Sequence, residues 1–382
     1  MTRAVGIGRL AGVRVEVDWT WLLVFSLMTW ALADAVFPEQ SPGLSQGTYW
    51  AMAVVGTLTL FFSLLLHELG HSVQARREGM EIEGITLWLF GGVARFRGAF
   101  PSARAELRIA LAGPAVTVVL AVLYGAVATL GLPESIHSLA IWLASINVVL
   151  LVFNMLPGLP LDGGRVARAV IWEITDDFDR ATHIAGRAGQ LLAYFLMSAG
   201  VALTLLAGVV SGIWLAIIGW FLLGASRSEI EQADMQRHLG GLSVADLMVR
   251  DPVTVPADMS LARFLDEVVW RHRYTSYPVL DESGHPAGLI AFRRLTRVPR
   301  EQLALHRVGQ HALALDRVVS LAPETPLIEA MQEMGARGAG RALVVANGRL
   351  VGLISSTDVL RALEARQAGG AAKARASLAD TR

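Results

Sequence analysis

The chain contains no cysteine, so disulfides are excluded and any metal site must be built from His, Asp or Glu. It carries no net charge either: 33 basic residues balance 33 acidic ones, which argues against a nucleic-acid partner. Charge is also missing locally. From Thr48 to Leu66 there is no charged side chain, and about 20 such residues cross the hydrocarbon core of a bilayer. Loops 37–47 and 131–138 hold no Lys or Arg. What remains is apolar: 53% of residues are hydrophobic and mean hydropathy is +0.48. The last third is nevertheless rich in Arg, Asp and Glu. These numbers describe a membrane protein with a soluble appendage.

Six apolar runs follow one another, at Trp19–Val36, Thr48–Leu66, Leu107–Leu130, Leu139–Leu156, Gln190–Ala207 and Gly212–Ala225. The last is short for a full crossing, and a re-entrant segment is its alternative. Ahead of the first run, Met1–Asp18 is a short basic segment. Ala31-Leu-Ala33 resembles a signal-peptidase site, but the apolar run is long and its leader is not compact, so the run is expected to stay as a span. Arg-rich loops alternate with Arg-free ones. By the positive-inside rule both termini and segments 72–106 and 157–189 are cytoplasmic, in a multi-pass protein of the cell membrane.

The second run ends in His67-Glu68-Leu-Gly-His71. Two histidines four apart share a helical face, so both imidazoles can reach one Zn²⁺. Glu68 then stands beside the open coordination position, where it can take a proton from water. A helix end whose histidines only cap or snorkel is the plainer alternative, but ionisable groups inside a span are expensive and point to function. With Arg76 at the interface, His71 lies about 7.5 Å and His67 about 13 Å inward. A tetrahedral site needs a third ligand. Asn154-Met-Leu-Pro157-Gly-Leu-Pro160-Leu-Asp162-Gly163-Gly164-Arg165 ends the fourth run, and its one carboxylate is Asp162. Prolines free carbonyls and glycines allow close approach, so the helix end is expected to bend toward the metal. An ordinary helix stop with an Asp-Gly turn is the alternative. His137, His183 and His272 read as ordinary residues.

His67-Glu68-Leu-Gly-His71, continued by Ala75 and Gly79, together with the Asn154…Pro160-Leu-Asp162-Gly-Gly run, resembles the site-2 protease family of intramembrane zinc metalloproteases. The likeness is greatest to its branch with a C-terminal CBS-domain pair. It implies a polytopic α-helical membrane protein with an α/β tandem CBS domain. It further implies one Zn²⁺ per chain on His67, His71 and Asp162, with Glu68 as catalytic acid/base. Asn154 and Pro160 are implied to position the substrate or the metal-binding helix. Leu111-Ala-Gly113-Pro114 also fits the family. Thr117 stands where many members have Asn and is given no role. The partners implied are a lipid bilayer and a membrane protein, cleaved in or beside a transmembrane segment. A CBS-gated metal transporter or channel is the competing reading, but transport does not require a Glu between the histidines.

Between the second and third runs, Glu81–Phe90 and Val93–Arg97 read as two strands joined through Gly91-Gly92. Such a ribbon at the membrane surface could add a substrate segment as an extra strand. The Gly-Gly pair resembles a glycine-containing loop of the family.

Past a polar helical linker at 226–242, the segment 243–366 holds an internal repeat of roughly 65 residues. Pro252-Val-Thr-Val-Pro-Ala-Asp-Met-Ser-Leu261 echoes Val318-Val-Ser-Leu-Ala-Pro-Glu-Thr-Pro-Leu327. Each copy continues into an amphipathic helix, a short apolar strand, a turn and Gly-Leu-Ile. The pattern resembles a CBS pair, a βαββα repeat that dimerises into a compact module, and a homodimer of the chain through that pair is one expectation. Ser355 and Asp358 in the second copy are similar to the adenine-nucleotide pattern of such domains. Ala291 and Arg294 occupy those places in the first copy, so one nucleotide site is expected. A purely structural CBS pair is the alternative. The tail after Gln367 is expected to be disordered.

Overall fold

The N-terminal segment, expected as a basic leader, forms a hairpin of β1 (Val5–Leu10) and β2 (Val13–Val17). Its two-residue turn, Ala11-Gly12, has positive φ at both positions, matching the right-handed twist of the strands. Helix α1 (Thr20–Ala31) passes through a π-helical turn at Leu32–Val36 into α2 (Phe37–Gln40). Ser45 then caps the long α3 (Gln46–Arg77), accepting a hydrogen bond from Thr48 N. At 1.5 Å per residue this helix is about 48 Å long, more than a bilayer core. Strands β3 (Glu81–Trp88) and β4 (Gly91–Arg97) follow. Helices α4 (Ala103–Ala128), α5 (Glu134–Asn154), α6 (Asp162–Thr175), α7 (Phe178–Ala207) and α8 (Ser211–Leu239) complete the series. This computed structural model describes residues 4–88, 91–208, 211–295 and 298–364. The chain divides into two compact units, Met1–Ala233 and Asp234–Arg382. The expected disordered tail lies outside the described residues.

Among the described residues, six helical segments are long and apolar enough to cross a membrane: 20–40, 46–77, 103–128, 134–154, 178–206 and 212–237. They match the six runs read from the sequence. The sixth, short as an apolar run, belongs to one unbroken helix. Large apolar side chains such as Leu23, Trp30, Val119, Val122, Val149 and Phe195 are exposed on their outer faces, as a protein solvated by lipid requires. Inside, small residues let backbones approach. A Cβ on Gly70 of α3 would come within 2.9 Å of Ala112 O on α4.

The sheet of the first unit has the order β1-β2-β3-β4, with β2 and β3 parallel and the other pairs antiparallel. The expected ribbon is present, with one correction. Gly91 and Gly92 are not the turn: they open β4, opposite Trp88 and Leu87.

In the second unit, β5 (Val249–Arg250), β6 (Val255–Pro256), β7 (Ser276–Leu280), β8 (Pro286–Ala291), β9 (Leu313–Ala314), β10 (Val319–Leu321), β11 (Arg341–Ala346) and β12 (Arg349–Ser355) form two sheets. Their orders are β6-β7-β8-β9 and β10-β11-β12-β5. Each repeat thus lends one short strand to the other's sheet. Apolar cores around Phe264, Tyr277 and Ile290, and around Leu327, Val344 and Ile354, lie beneath the two sheets.

Candidate metal centre

His67 and His71 are buried on one face of α3, one turn apart. Asp162 arrives by a route the sequence reading did not foresee. Helix α5 stops at Asn154, and Asp162 is the first residue of a new helix, α6, rather than the bent end of the fourth span. The connection 155–161 is held by close backbone contacts. A Cβ on Gly163 would meet Met155 O at 2.2 Å, one on Gly164 would meet Gly158 C at 2.2 Å, and one on Gly189 of α7 would meet Leu159 O at 2.0 Å. Leu159, fully buried, donates its N–H to Ala185 O at 3.1 Å and accepts a short hydrogen bond from Ser226 Oγ of α8. Those contacts aim Asp162 at α3.

The three side chains converge. His67 Nε2 lies 3.1 Å from Asp162 Oδ2, His71 Nε2 lies 3.3 Å from Oδ1, and the two Nε2 atoms are 3.1 Å apart. Hydrogen bonds on the far side of each ring decide the tautomers. His71 Nδ1 is 2.7 Å from Ile109 O, which can only accept, so Nδ1 carries the proton. Thr117 Oγ1 gives its own proton to Gly113 O at 3.3 Å and therefore accepts from His67 Nδ1 at 2.8 Å. Both Nε2 atoms then present lone pairs to each other and to a carboxylate. Asp162 Oδ2 is accordingly buried without a hydrogen bond. Three lone-pair donors held this close repel unless a cation lies among them, and the set suits zinc. Two nitrogens at tetrahedral angles on Zn²⁺ stand about 3.3 Å apart, given Zn–N bonds of about 2.0–2.1 Å. Imidazoles that donate their other nitrogen to an oxygen are the usual outer support of such ligands.

Two glycines shape the space around the cluster. A Cβ on Gly113 of α4 would lie 2.2 Å from His71 Nε2 and 2.8 Å from His67 Nε2. One on Gly92 would lie 2.5 Å from Glu68 Cγ. The start of β4 therefore rests on Glu68, which is half-buried and whose carboxyl makes no hydrogen bond among the described residues. Gly91 has a φ of +124°, a conformation that favours glycine, and open space where a side chain would be.

His67, Glu68, His71, Asp162 and Gly92 thus come together. Asn154 and Pro160 flank them at the two ends of the connection to Asp162, each half-buried, with a cis peptide between Leu159 and Pro160. Ser355 and Asp358 belong to the second unit. Sequence reasoning gave Thr117 no role and missed the Ile109 carbonyl and the Gly158–Gly189 contact. Only Thr117 had a signal available, as a polar residue in an apolar helix.

Comparison with known proteins agrees. Residues 55–133 and 131–196 match the model of peptidase family M50, and residues 244–301 and 312–365 match that of the CBS domain. Rip3 of Mycobacterium tuberculosis is 40% identical over 369 residues, covering 95% of this chain and 94% of its own. Zinc metalloprotease MJ0392 of Methanocaldococcus jannaschii is 29% identical, covering 95% and 97%. The solved site-2 protease from Methanocaldococcus jannaschii superposes with a TM-score of 0.41 at 26% identity, covering 60% of this chain and 95% of that one. The family models and the 40% identical relative set aside the transporter reading and extend over both units. The chain belongs to peptidase family M50, the site-2 proteases, in the branch with a C-terminal CBS pair, and it is an intramembrane zinc metalloprotease.

Proposed function

We propose that the protein hydrolyses a peptide bond in or beside a transmembrane segment of another membrane protein, with His67, His71 and Asp162 as zinc ligands and Glu68 as general base and acid. The observation that carries this is the convergence of three lone-pair donors beside Glu68, between helices apolar enough to cross a bilayer. Zn²⁺, when bound there, polarises the scissile carbonyl and lowers the pKa of water in its open position. Glu68 takes the proton of the attacking water as the C–O bond forms, and passes it to the amine as the C–N bond breaks. With no hydrogen bond to any described residue, its carboxylate is available for both transfers.

A helical substrate hides its carbonyls and must be unwound first. Among the described residues β4 is the end strand of its sheet, so its outer edge offers backbone groups to a further strand. A substrate segment added along that edge meets Gly91 and Gly92, and so passes Glu68. Asn154 and Pro160 keep the turn into Asp162 in place. By the charge pattern the site opens toward the cytoplasm, where both termini also lie. The protease comprises 1–225, the linker 226–242, the CBS pair 243–366 and the tail 367–382. In the CBS pair one adenine-nucleotide site is centred on Ser355 and Asp358, and the pair is the surface for a homodimer.

The test is Glu68→Gln in the full chain, reconstituted with a transmembrane peptide substrate. Bound zinc should remain at one per chain while cleavage falls by about 10²–10⁴-fold. Cleavage at the wild-type rate would remove Glu68 from the reaction.

A further inference from the structure

Two arginines one turn apart on α6 have opposite surroundings. Arg168 is buried and saturated. Its guanidinium contacts Glu106 at 2.6 Å and Glu229 at 3.3 Å, and lies 5.1 Å from the Phe178 ring centroid and 5.8 Å from that of Phe100. Arg165, one turn nearer the metal centre and one turn beyond Asp162, makes no hydrogen bond and no ion pair among the described residues. Its Nε is buried and unpartnered. Spacing of three places Asp162, Arg165 and Arg168 on one face of the helix. Burial works against the Arg165 charge, but Glu229, Asp162, Glu106 and Glu68 lie close enough to hold its pKa above the ordinary value. Four carboxylates thus feel this cation, and none has captured it.

Arg165 as a whole is half-buried, but its Nε is shielded from water, and leaving a buried donor atom open is costly; a fold keeps such a group where a ligand completes it. Asp162 lies one turn away on the same face of α6, so an acceptor held at the metal centre is a partner this donor can reach. Water attacking a peptide carbonyl there creates that acceptor, because the C=O π electrons move onto oxygen as the new C–O bond forms. We infer that Arg165 is a further catalytic residue, whose guanidinium donates hydrogen bonds to the carbonyl oxygen of the scissile peptide and to the oxyanion that develops from it. The pair of electrons returns to the carbonyl when the C–N bond breaks, and the proton held by Glu68 leaves on the amine. Arg165 donates hydrogen bonds throughout and transfers no proton. Fork geometry suits an oxygen whose charge grows during the step, and a permanent charge ensures that the donor never needs to be protonated. This inference rests on the assignment of Glu68 above.

The experiment uses the full zinc-loaded chain in proteoliposomes, with Arg165→Gln and Arg165→Lys beside Glu68→Gln. Zinc content and the unfolding midpoint should match wild type in both Arg165 variants. Arg165→Gln should lower kcat by about 10²–10³-fold, the loss typical of one oxyanion donor, with KM within about threefold. Arg165→Lys, keeping charge but not the fork, should recover part of the rate. A phosphinic peptide, which carries a tetrahedral anion, should lose affinity for Arg165→Gln by the same factor as kcat. Binding of the uncleaved substrate, measured in the Glu68→Gln background, should change by less than about threefold. Exogenous ethylguanidinium should raise the rate of Arg165→Ala and not that of wild type. A kcat within threefold of wild type in Arg165→Gln, with Glu68→Gln inactive, would overturn the role of Arg165 alone. Activity in both variants would overturn the site assignment beneath it. Equal losses of substrate and phosphinate affinity would make Arg165 a ground-state binding group. A rate that instead tracks the fraction of anionic lipid would assign it to a headgroup phosphate.

Discussion

The His67–His71–Asp162 cluster and the Ser355–Asp358 pair both stand out in the sequence as polar groups at functional spacing, and their hydrogen bonding separates them. In the first, every outward-facing atom is tied down while the inward-facing lone pairs of three residues meet with no proton among them. In the second, the groups satisfy each other. Ser355 N and Oγ donate to Asp358 Oδ2 at 3.0 and 2.6 Å, and Asp358 N donates back to Ser355 Oγ at 3.3 Å. This is a capping box on helix 356–364, and Ser243 with Asp246 forms another at Val244–Leu247. A cluster that cannot close without a ligand is stronger support for one than a cluster already closed.

The largest way to break that contrast is to fill the open centre. Gly113→Ala places a methyl carbon 2.2 Å from His71 Nε2, where no repacking of a flexible side-chain end can relieve it. We expect this variant to lose its zinc and all cleavage, as read by metal analysis and a substrate assay. Gly92→Ala intrudes on Glu68 Cγ instead. It should keep one zinc per chain and lose most activity, which separates the metal from the proton carrier. Full zinc occupancy in Gly113→Ala would show that the ligands bind from another side.

A smaller perturbation leaves the centre alone and loosens its support. Thr117→Val removes the acceptor for His67 Nδ1 and frees the ring to flip or change tautomer. Loss of such an outer contact lowers metal affinity by about 10–100-fold, measurable by competition with a chelator. Thr117→Asn should hold affinity near wild type, because an amide oxygen can accept the same proton. Equal affinity in Thr117→Val would mean that packing alone orients the imidazole.

These contacts also show why part of the site was legible in sequence and part was not. His67, Glu68 and His71 declare themselves because one helix places them, and helical spacing is local. Asp162 was identifiable as a candidate ligand, but its placement was misread. A new helix delivers it, fixed by backbone contacts of Gly158, Gly163, Gly164 and Gly189 that no spacing reveals. β1 and β2 form a local hairpin, but its Ala11-Gly12 turn lacks the usual Asn-Gly or Asp-Gly signal and the segment was read only for its charge, while the parallel pairing of β2 with β3 joins residues far apart in the chain. Arg165 was counted only for its sign, as a marker of membrane side. Its lack of a partner, against the full set around Arg168, is a property of the folded neighbourhood. The apolar runs were legible because lipid exposure demands them over whole helices.

The smallest effect tests whether the closed pair can open. An adenine nucleotide bound at Ser355 and Asp358 must replace hydrogen bonds that the two residues already make, so part of its binding free energy goes into breaking a cap. Asp358→Ala removes both functions. Loss of a cap costs about 0.5–2 kcal/mol, and local amide protection in 356–359 should fall by about 2–30-fold. Asp358→Asn separates the two roles. Its amide oxygen still accepts from Ser355, so protection should stay within about twofold of wild type. Its charge is gone, so AMP or ATP binding to the full chain should weaken by about tenfold or more in calorimetry, as expected for one charge-assisted hydrogen bond of about 1.5–3 kcal/mol. Weakened binding with protection intact would make the pair a ligand site that doubles as a cap. Unchanged binding in Asp358→Asn would place any nucleotide elsewhere and leave Ser355 and Asp358 with the single task that Ser243 and Asp246 perform.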